Sequence, residues 1–177
     1  MRIIRGKYKG RKINAPKSVK ARPTTDFAKE SLFNILNNQI DFEDIEVLDL
    51  FAGTGNISFE FASRGAASVL SVDHSFTSVK FIQHVSEELE LPVRAIKAKV
   101  FGFLENHPGQ YDIIFADPPY QLKNLDMLPD AVLSKKLLKP DGVFILEHGK
   151  ENDFSNNEYL VDHRIYSRVN FSFFKYS

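Results

Sequence analysis

From residue 46 onward, short apolar runs alternate with longer stretches whose apolar positions recur every three or four residues. An apolar run of about four to eight residues is the length of a strand buried on both faces. The three-to-four spacing instead lays one apolar stripe along a helix. Residues 46–50, 67–72, 92–96, 111–116 and 142–147 are therefore predicted strands. Residues 56–64, 75–89, 100–106 and 124–133 are predicted helices, with Gly65 placed to end the first. In the second of these, Phe76, Val79, Ile82, Val85 and Leu89 are the inward positions. Apolar and polar residues alternate again through 158–176, around 164–170, which predicts an antiparallel pair of strands.

Upstream, residues 2–14 read as two short strands with Gly6 and Gly10 available for turns, and residues 15–23 as a loop. Thr24, Thr25 or Asp26 can cap a helix whose stripe is Phe27, Ala28, Ser31, Leu32, Ile35 and Leu36. Strand–helix alternation requires covering helices and right-handed crossovers, so the expected class is α/β: a doubly wound, mostly parallel sheet of about seven strands. The expected division is a basic N-terminal hairpin and loop over residues 1–23 and the sheet domain over 24–177. Ligands in such sheets bind beyond the carboxyl ends of the strands, which directs attention to the residues after 50, 72 and 116.

Charge changes this picture. The formal net charge is zero, with 23 basic and 23 acidic residues. Nine of the basic ones (Arg2, Arg5, Lys7, Lys9, Arg11, Lys12, Lys17, Lys20 and Arg22) fall in residues 1–25, which contain no Asp or Glu. A segregated positive segment interleaved with Ile3, Ile4, Tyr8 and Ile13 suggests a polyanionic partner rather than a solvated tail. No Cys is present, which excludes disulfides and thiolate-held zinc and fits a reducing compartment. His74, His84, His107, His148 and His163 are scattered, so no metal site is expected. No stretch is apolar enough to span a bilayer, and the first residues lack the apolar core of a secretory signal, so a cytoplasmic location is expected. Nothing demands a dimer.

The strand ends carry the chemistry. After the first strand come Asp49, Leu50, Phe51, Ala52, Gly53, Thr54, Gly55 and Asn56. Two glycines allow a sharp turn against which a ligand can lie. No Gly-Lys-Ser/Thr follows, which excludes a phosphate-cradling loop, and Ser58 stands where a dinucleotide fingerprint has its third glycine. Asp73, followed by His74, ends the neighbouring strand, where a carboxylate can accept both hydroxyls of a ribose.

After the fourth strand come Asp117, Pro118, Pro119 and Tyr120. A nucleobase amino group is a weak nucleophile because its lone pair is delocalised into the ring. Two acceptors, the Asp117 carboxylate and the Pro118 carbonyl, can hold its N–H groups and turn that lone pair outward. Neither proline offers a competing N–H, and both stiffen the loop. Tyr120 can stack on the base, a contact worth about 1–3 kcal/mol elsewhere. The electrophile implied is a methyl sulfonium on an adenosine without phosphates, which is S-adenosylmethionine.

Taken together, these residues resemble the class I, Rossmann-like methyltransferases that carry an Asp-Pro-Pro-Tyr motif. The N-terminal pattern narrows the resemblance. It comprises Arg2, Ile3, Ile4, Gly6, Lys7, Gly10, Arg11 and Lys12, followed by Arg22, Pro23, Thr24, Asp26, Lys29, Glu30, Leu32, Phe33, Asn34 and Leu36. It is similar to the bacterial RsmD family, which methylates N2 of a guanine in small-subunit (16S) ribosomal RNA. The resemblance implies that Asp49, Phe51, Ala52, Gly53, Thr54, Gly55 and Asn56 surround the methionine part of the cofactor and that Asp73 and His74 lie at its ribose. Lys99 and Val100 would lie by its adenine, where many relatives carry Asp or Asn and this chain has Lys97, Ala98, Lys99 and Val100. It implies that Asp117, Pro118, Pro119 and Tyr120 hold the guanine. It further implies that Arg2, Arg5, Lys7, Lys9, Arg11, Lys12, Arg22 and Thr24 meet RNA, within a small-subunit particle or assembly intermediate. Two other readings stay open: an adenine-N6 methyltransferase on DNA or RNA, which the same loop would serve, and a nonenzymatic RNA-binding assembly protein.

Overall fold

Strands whose successive side chains are all apolar must be covered on both faces, and the computed structural model, which describes residues 1–20 and 25–176, has that arrangement. The elements run α1 (Asp26–Leu36), β1 (Glu46–Leu50), α2 (Asn56–Ser63), β2 (Ser68–Asp73), α3 (Phe76–Glu88), β3 (Val93–Lys97), α4 (Val100–Asn106), β4 (Tyr111–Ala116), α5 (Leu128–Leu133), β5 (Leu138–His148), β6 (Leu160–Tyr166) and β7 (Val169–Phe174). A single turn of 3-10 helix, Leu125–Met127, leads into α5 and splits the continuous helix expected over 124–133.

One seven-stranded sheet has the order β3-β2-β1-β4-β5-β7-β6. Strands β1 to β5 are parallel to one another, while β7 runs antiparallel to both β5 and β6. Alternate residues divide between two cores. Val47, Ile113, Phe115 and Ile145 pack with α1, α2 and α3 on one face. Leu48, Ile114, Phe144 and Leu146 pack with α4 and α5 on the other. The direction of winding reverses between β1 and β4, so their carboxyl ends flank the crevice where such sheets bind ligands.

Some expected details differ. Phe27 and Phe76, assigned to inward stripes, are 60% and 58% exposed. Each sits at the very start of its helix, before the first buried positions, Ala28 in α1 and Ser78 in α3. In α1 the buried face instead takes Lys29 and Phe33. Residues 2–14 do not form two strands: a single antiparallel bridge joins Arg2 to Lys12. The segment gains its order from docking, with Ile3 and Ile13 buried in the core. Strand β5 begins four residues before the expected 142. His148 and His163, far apart in sequence, stack at 5.7 Å between β5 and β6. Thr25 is the residue that caps α1, accepting from the Ala28 N–H. Thr24 and Arg22 lie outside the described residues.

Candidate active site

The chain leaves β1 through a turn that ordinary side chains resist. Phe51, Gly53 and Gly55 all have positive φ, at 60°, 56° and 77°. Phe51 takes that conformation at a cost of about 1–3 kcal/mol, an expense typical of ligand sites. The turn is pinned by Ala52 N–H to the Val72 carbonyl, Gly55 N–H to the Ala52 carbonyl, and Gly53 N–H to Asp73 Oδ2 at 2.9 Å. Gly55 opens α2, and a Cβ there would lie 2.9 Å from Ile82 and 3.0 Å from Phe59. Its lack of a side chain leaves room for Ile82 of α3 and the Phe59 ring to pack against the start of α2.

Asp49 points from β1 toward α2 and is 2% exposed. The Ser58 hydroxyl donates to its Oδ2, and Ser58 in turn shares a 2.7 Å contact with Ser71. Burial pushes the Asp49 carboxyl up to about 7; the Ser58 hydrogen bond opposes this, and the nearby Asp117 and Asp73 charges add to it. Asp73, at the end of β2, accepts from Gly53 N–H through Oδ2 and from Ser75 N–H through Oδ1. His74 Nδ1 lies 3.5 Å from Asp73 Oδ1, with its ring exposed.

These strand ends enclose a cavity of about 780 Å3. Of the positions singled out in the sequence, Asp49, Phe51, Ala52, Gly53, Thr54, Asn56, Asp73, His74, Lys99, Val100, Asp117, Pro118 and Pro119 line it. Gly55 and Tyr120 do not belong to the lining. Gly55 serves the turn from behind, and Tyr120 is 39% exposed just beyond the loop. The lining also includes Lys20 of the basic N-terminal segment and Ala98 of the stretch beside the expected adenine position. With them are residues that sequence pattern did not mark: Ser18, Leu122, and Phe101 and Gly102 around the start of α4. Ser18 reaches the site because its carbonyl accepts from Thr77 at 3.3 Å, a contact across 59 residues that no local signal announces.

A second, more open cleft of about 850 Å3 adjoins the first. Arg2, Lys12, Asn14, Lys17 and Asp26 are among its walls, and Thr54 and Asn56 are common to both cavities. Of the other basic candidates, Arg11 is paired with Glu88 at 2.6 Å and Lys7 lies 5.1 Å from the Tyr8 ring. Arg5 and Lys9 are exposed. Arg2 also meets Glu30 at 3.8 Å.

Beneath this cleft lies a buried ionic cluster whose pairing sequence pattern did not announce. Glu60, on α2, accepts from the Ile4 and Arg5 N–H groups and from Arg64 Nε, and its Oε2 is 3.3 Å from Lys29 Nζ. The Arg64 guanidinium lies 4.3 Å from the Phe33 ring. Burial lowers the Lys29 pKa from its usual value, while the Glu60 charge counteracts that. A helical wheel hides the pairing, because Lys29 and Glu60 sit on the inward faces of two different helices. Among the described residues, no group of three or more His, Asp and Glu is placed to hold a metal, and no helix is long and apolar enough to cross a membrane.

The family model described as "Conserved hypothetical protein 95" matches residues 1–175. Ribosomal RNA small subunit methyltransferase D of Escherichia coli K12 is 31% identical over 154 residues, covering 86% of this chain and 76% of that protein. The solved structure of the hypothetical protein TTHA0928 from Thermus thermophilus superposes with a TM-score of 0.87 at 24% identity, covering 99% of each chain. The T. thermophilus 16S rRNA N2 G1207 methyltransferase, solved with AdoMet and guanosine, matches with a TM-score of 0.71 at 23% identity, over 90% of this chain and 45% of that one. These two likenesses concern the fold, which is that of the class I methyltransferases. The chain belongs to the family described as conserved hypothetical protein 95, the RsmD-like S-adenosylmethionine-dependent methyltransferases.

Proposed function

We propose that this protein transfers a methyl group from S-adenosylmethionine to the exocyclic N2 amino group of a guanine in small-subunit ribosomal RNA. The observation that carries this reading is the meeting, in one cavity, of the glycine turn after β1, Asp73 after β2 and Asp117-Pro118-Pro119 after β4. The 31% identity to ribosomal RNA small subunit methyltransferase D supports the choice of acceptor.

The residues present suit the cofactor. Three carboxylates, Asp49, Asp73 and Asp117, line a cavity that has no phosphate-binding loop. That suits a ligand with cationic ammonium and sulfonium centres and no phosphates. Asp49 faces the methionine ammonium. Asp73 receives the ribose hydroxyls on lone pairs left over from its Gly53 and Ser75 bonds. Ala98, Val100 and Phe101 supply an apolar wall for the adenine, in place of the polar residue many relatives carry. When bound, the cofactor supplies an electrophilic methyl group.

The Asp117 carboxylate and the Pro118 carbonyl accept the two N–H bonds of the guanine amine and direct its lone pair into the cavity. Asp117 also stabilises the positive charge that grows on nitrogen. The alkylated amine is acidic, so its extra proton passes to water without a strong base. Tyr120, at the mouth, stacks on the base. Residues 1–23 form the RNA-contacting part, through Arg2, Arg5, Lys7, Lys9, Arg11, Lys12 and Arg22, joined by Thr24 just after it; Arg22 and Thr24 lie outside the described residues. The substrate is a small-subunit particle or assembly intermediate, met in the cytoplasm by a monomer.

Two measurements test this. Asp117→Ala should lower transfer at least a hundredfold while S-adenosylhomocysteine still binds; transfer at the normal rate would sink the mechanism. Mass-spectrometric mapping of small-subunit RNA from cells lacking the gene should show one N2-methylguanine missing. A missing N6-methyladenine would point to adenine instead, and no missing modification to a nonenzymatic assembly role.

A further inference from the structure

The buried ammonium of Lys29 touches three separate pieces of the molecule. It donates to the Arg2 carbonyl at 2.6 Å and to Asn56 Oδ1 at 2.8 Å, and it lies 3.3 Å from Glu60 Oε2. These partners account for all three donors of the group. Its side chain has no solvent exposure, nor has that of Glu60. Burying a cation this completely is unfavourable unless every donor is engaged, and an apolar side chain of equal length would fill the same space. The position of the acceptors supplies a reason for the charge. Asn56 is the first residue of α2, directly after the glycine turn, and it forms part of the wall common to the 780 Å3 cavity and the basic cleft. Arg2 supplies the carbonyl that Lys29 grips and is itself part of the lining of that cleft.

We infer that Lys29 is a positioning residue that fixes the N-terminal basic segment against the start of α2, so that the RNA-facing cleft and the cofactor cavity are set as one unit. The inference rests on the function proposed above. It is distinct from simple anchoring of the N-terminus, because Glu60 holds the Ile4 and Arg5 N–H groups at 2.8 and 3.0 Å without help from Lys29. Removing the Lys29 ammonium would leave that anchor and the Arg64–Glu60 pair at 2.9 Å in place. What it would remove is the tie between Arg2 and Asn56.

The test compares Lys29→Met, which keeps the packing volume, with Asn56→Ala, which keeps the Lys29–Glu60 pair, and with the double variant. S-adenosylhomocysteine affinity is measured by calorimetry, kcat and KM with small subunits lacking the modification, and stability by thermal unfolding. Lys29→Met is expected to raise both the S-adenosylhomocysteine Kd and the KM for subunits about five- to tenfold, with kcat at saturation within about twofold. The double variant is expected to be no worse than the more impaired single one, since both remove the same tie. A Lys29→Met protein that melts earlier but keeps wild-type Kd and KM in its folded fraction makes Lys29 a packing strut and overturns the inference. If Lys29→Met does not fold, Asn56→Ala decides. A parallel rise in Kd and KM supports the coupling, and a change in the cofactor Kd alone, or in neither, overturns it. Wild-type protein that binds no S-adenosylhomocysteine at all overturns the functional reading beneath, an outcome visible before any variant is made.

Discussion

Asp49 shows how one side chain joins fold and chemistry. It lies under the glycine turn with Ser58 and Ser71 as its polar neighbours, and burial moves its carboxyl from 3.8 to about 7. Between those values the native state binds more protons than the unfolded chain. The stability tied to this group therefore falls as pH rises from about 4 to 7 and is level above that. A cationic ligand beside Asp49 favours the ionised form. Affinity for S-adenosylmethionine is thus expected to rise by up to roughly tenfold between pH 6 and 8, and Asp49→Asn to flatten that rise. Calorimetry at the two pH values checks it; equal affinities would place the ammonium elsewhere. The sequence marked Asp49 as a site residue by its place before the turn. Its raised pKa depends on burial under α2 and on the nearby Asp117 and Asp73 charges, against the opposing Ser58 hydrogen bond, and so on the packing of α2 and the strand ends around it.

At the scale of elements, the N-terminal segment is the instructive part. Its alternating pattern predicts two paired strands, yet the arms form a single bridge with a few backbone hydrogen bonds around it, Ile3 N–H to the Arg11 carbonyl, Gly10 N–H to the Ile3 carbonyl and Ile13 N–H to the Met1 carbonyl. Helix α2 supplies what the hairpin lacks: Glu60 takes the N–H groups of Ile4 and Arg5, the Ser63 carbonyl that of Lys7, and Ser63 Oγ that of Tyr8. Docking this close explains the two glycines differently, although both have φ of 84°. A Cβ on Gly6 would fall 1.7 Å from the Ser63 carbonyl oxygen, whereas one on Gly10 would meet nothing within 4 Å. Gly10→Ala should cost only the left-handed backbone penalty, about 1 kcal/mol. Gly6→Ala should cost clearly more and expose the segment to protease. Chemical denaturation and limited proteolysis measure both, and equal costs would contradict this docking.

Over the whole molecule, the charge segregation acquires a geometry. Arg2, Lys12 and Lys17 gather around the cleft beside the carboxylate-lined cavity, so the two signs of charge meet along the wall formed by Thr54 and Asn56. A polyanion drawn to the cleft would bring a base to the mouth where Asp117 and Pro118 wait. Converting exposed Lys9 and Lys12 to Gln should weaken RNA binding and make it less sensitive to salt. The logarithmic slope should fall by about 0.7–0.9 for each phosphate that is no longer neutralised, with S-adenosylhomocysteine affinity unchanged. Binding measured from low to moderate salt decides it; an unchanged slope would remove these two side chains from the RNA interface.

The sequence by itself determined the elements and their class, because doubly buried strands and one-sided helices leave local periodicities that survive without their neighbours. It also directed attention to one end of the sheet, since a doubly wound sheet binds ligands at strand ends, and Asp49, Asp73 and Asp117, which stand at or just beyond the ends of β1, β2 and β4, line one cavity there. Only the tertiary structure decided which distant residues share a site. Ser18 reaches the cavity by a long-range contact with Thr77, Lys29 meets Glu60 between two helices, and Phe27 and Phe76 turn outward. The physical reason is the same in each case. Periodicity records whether a side chain is covered, and it carries no record of what covers it.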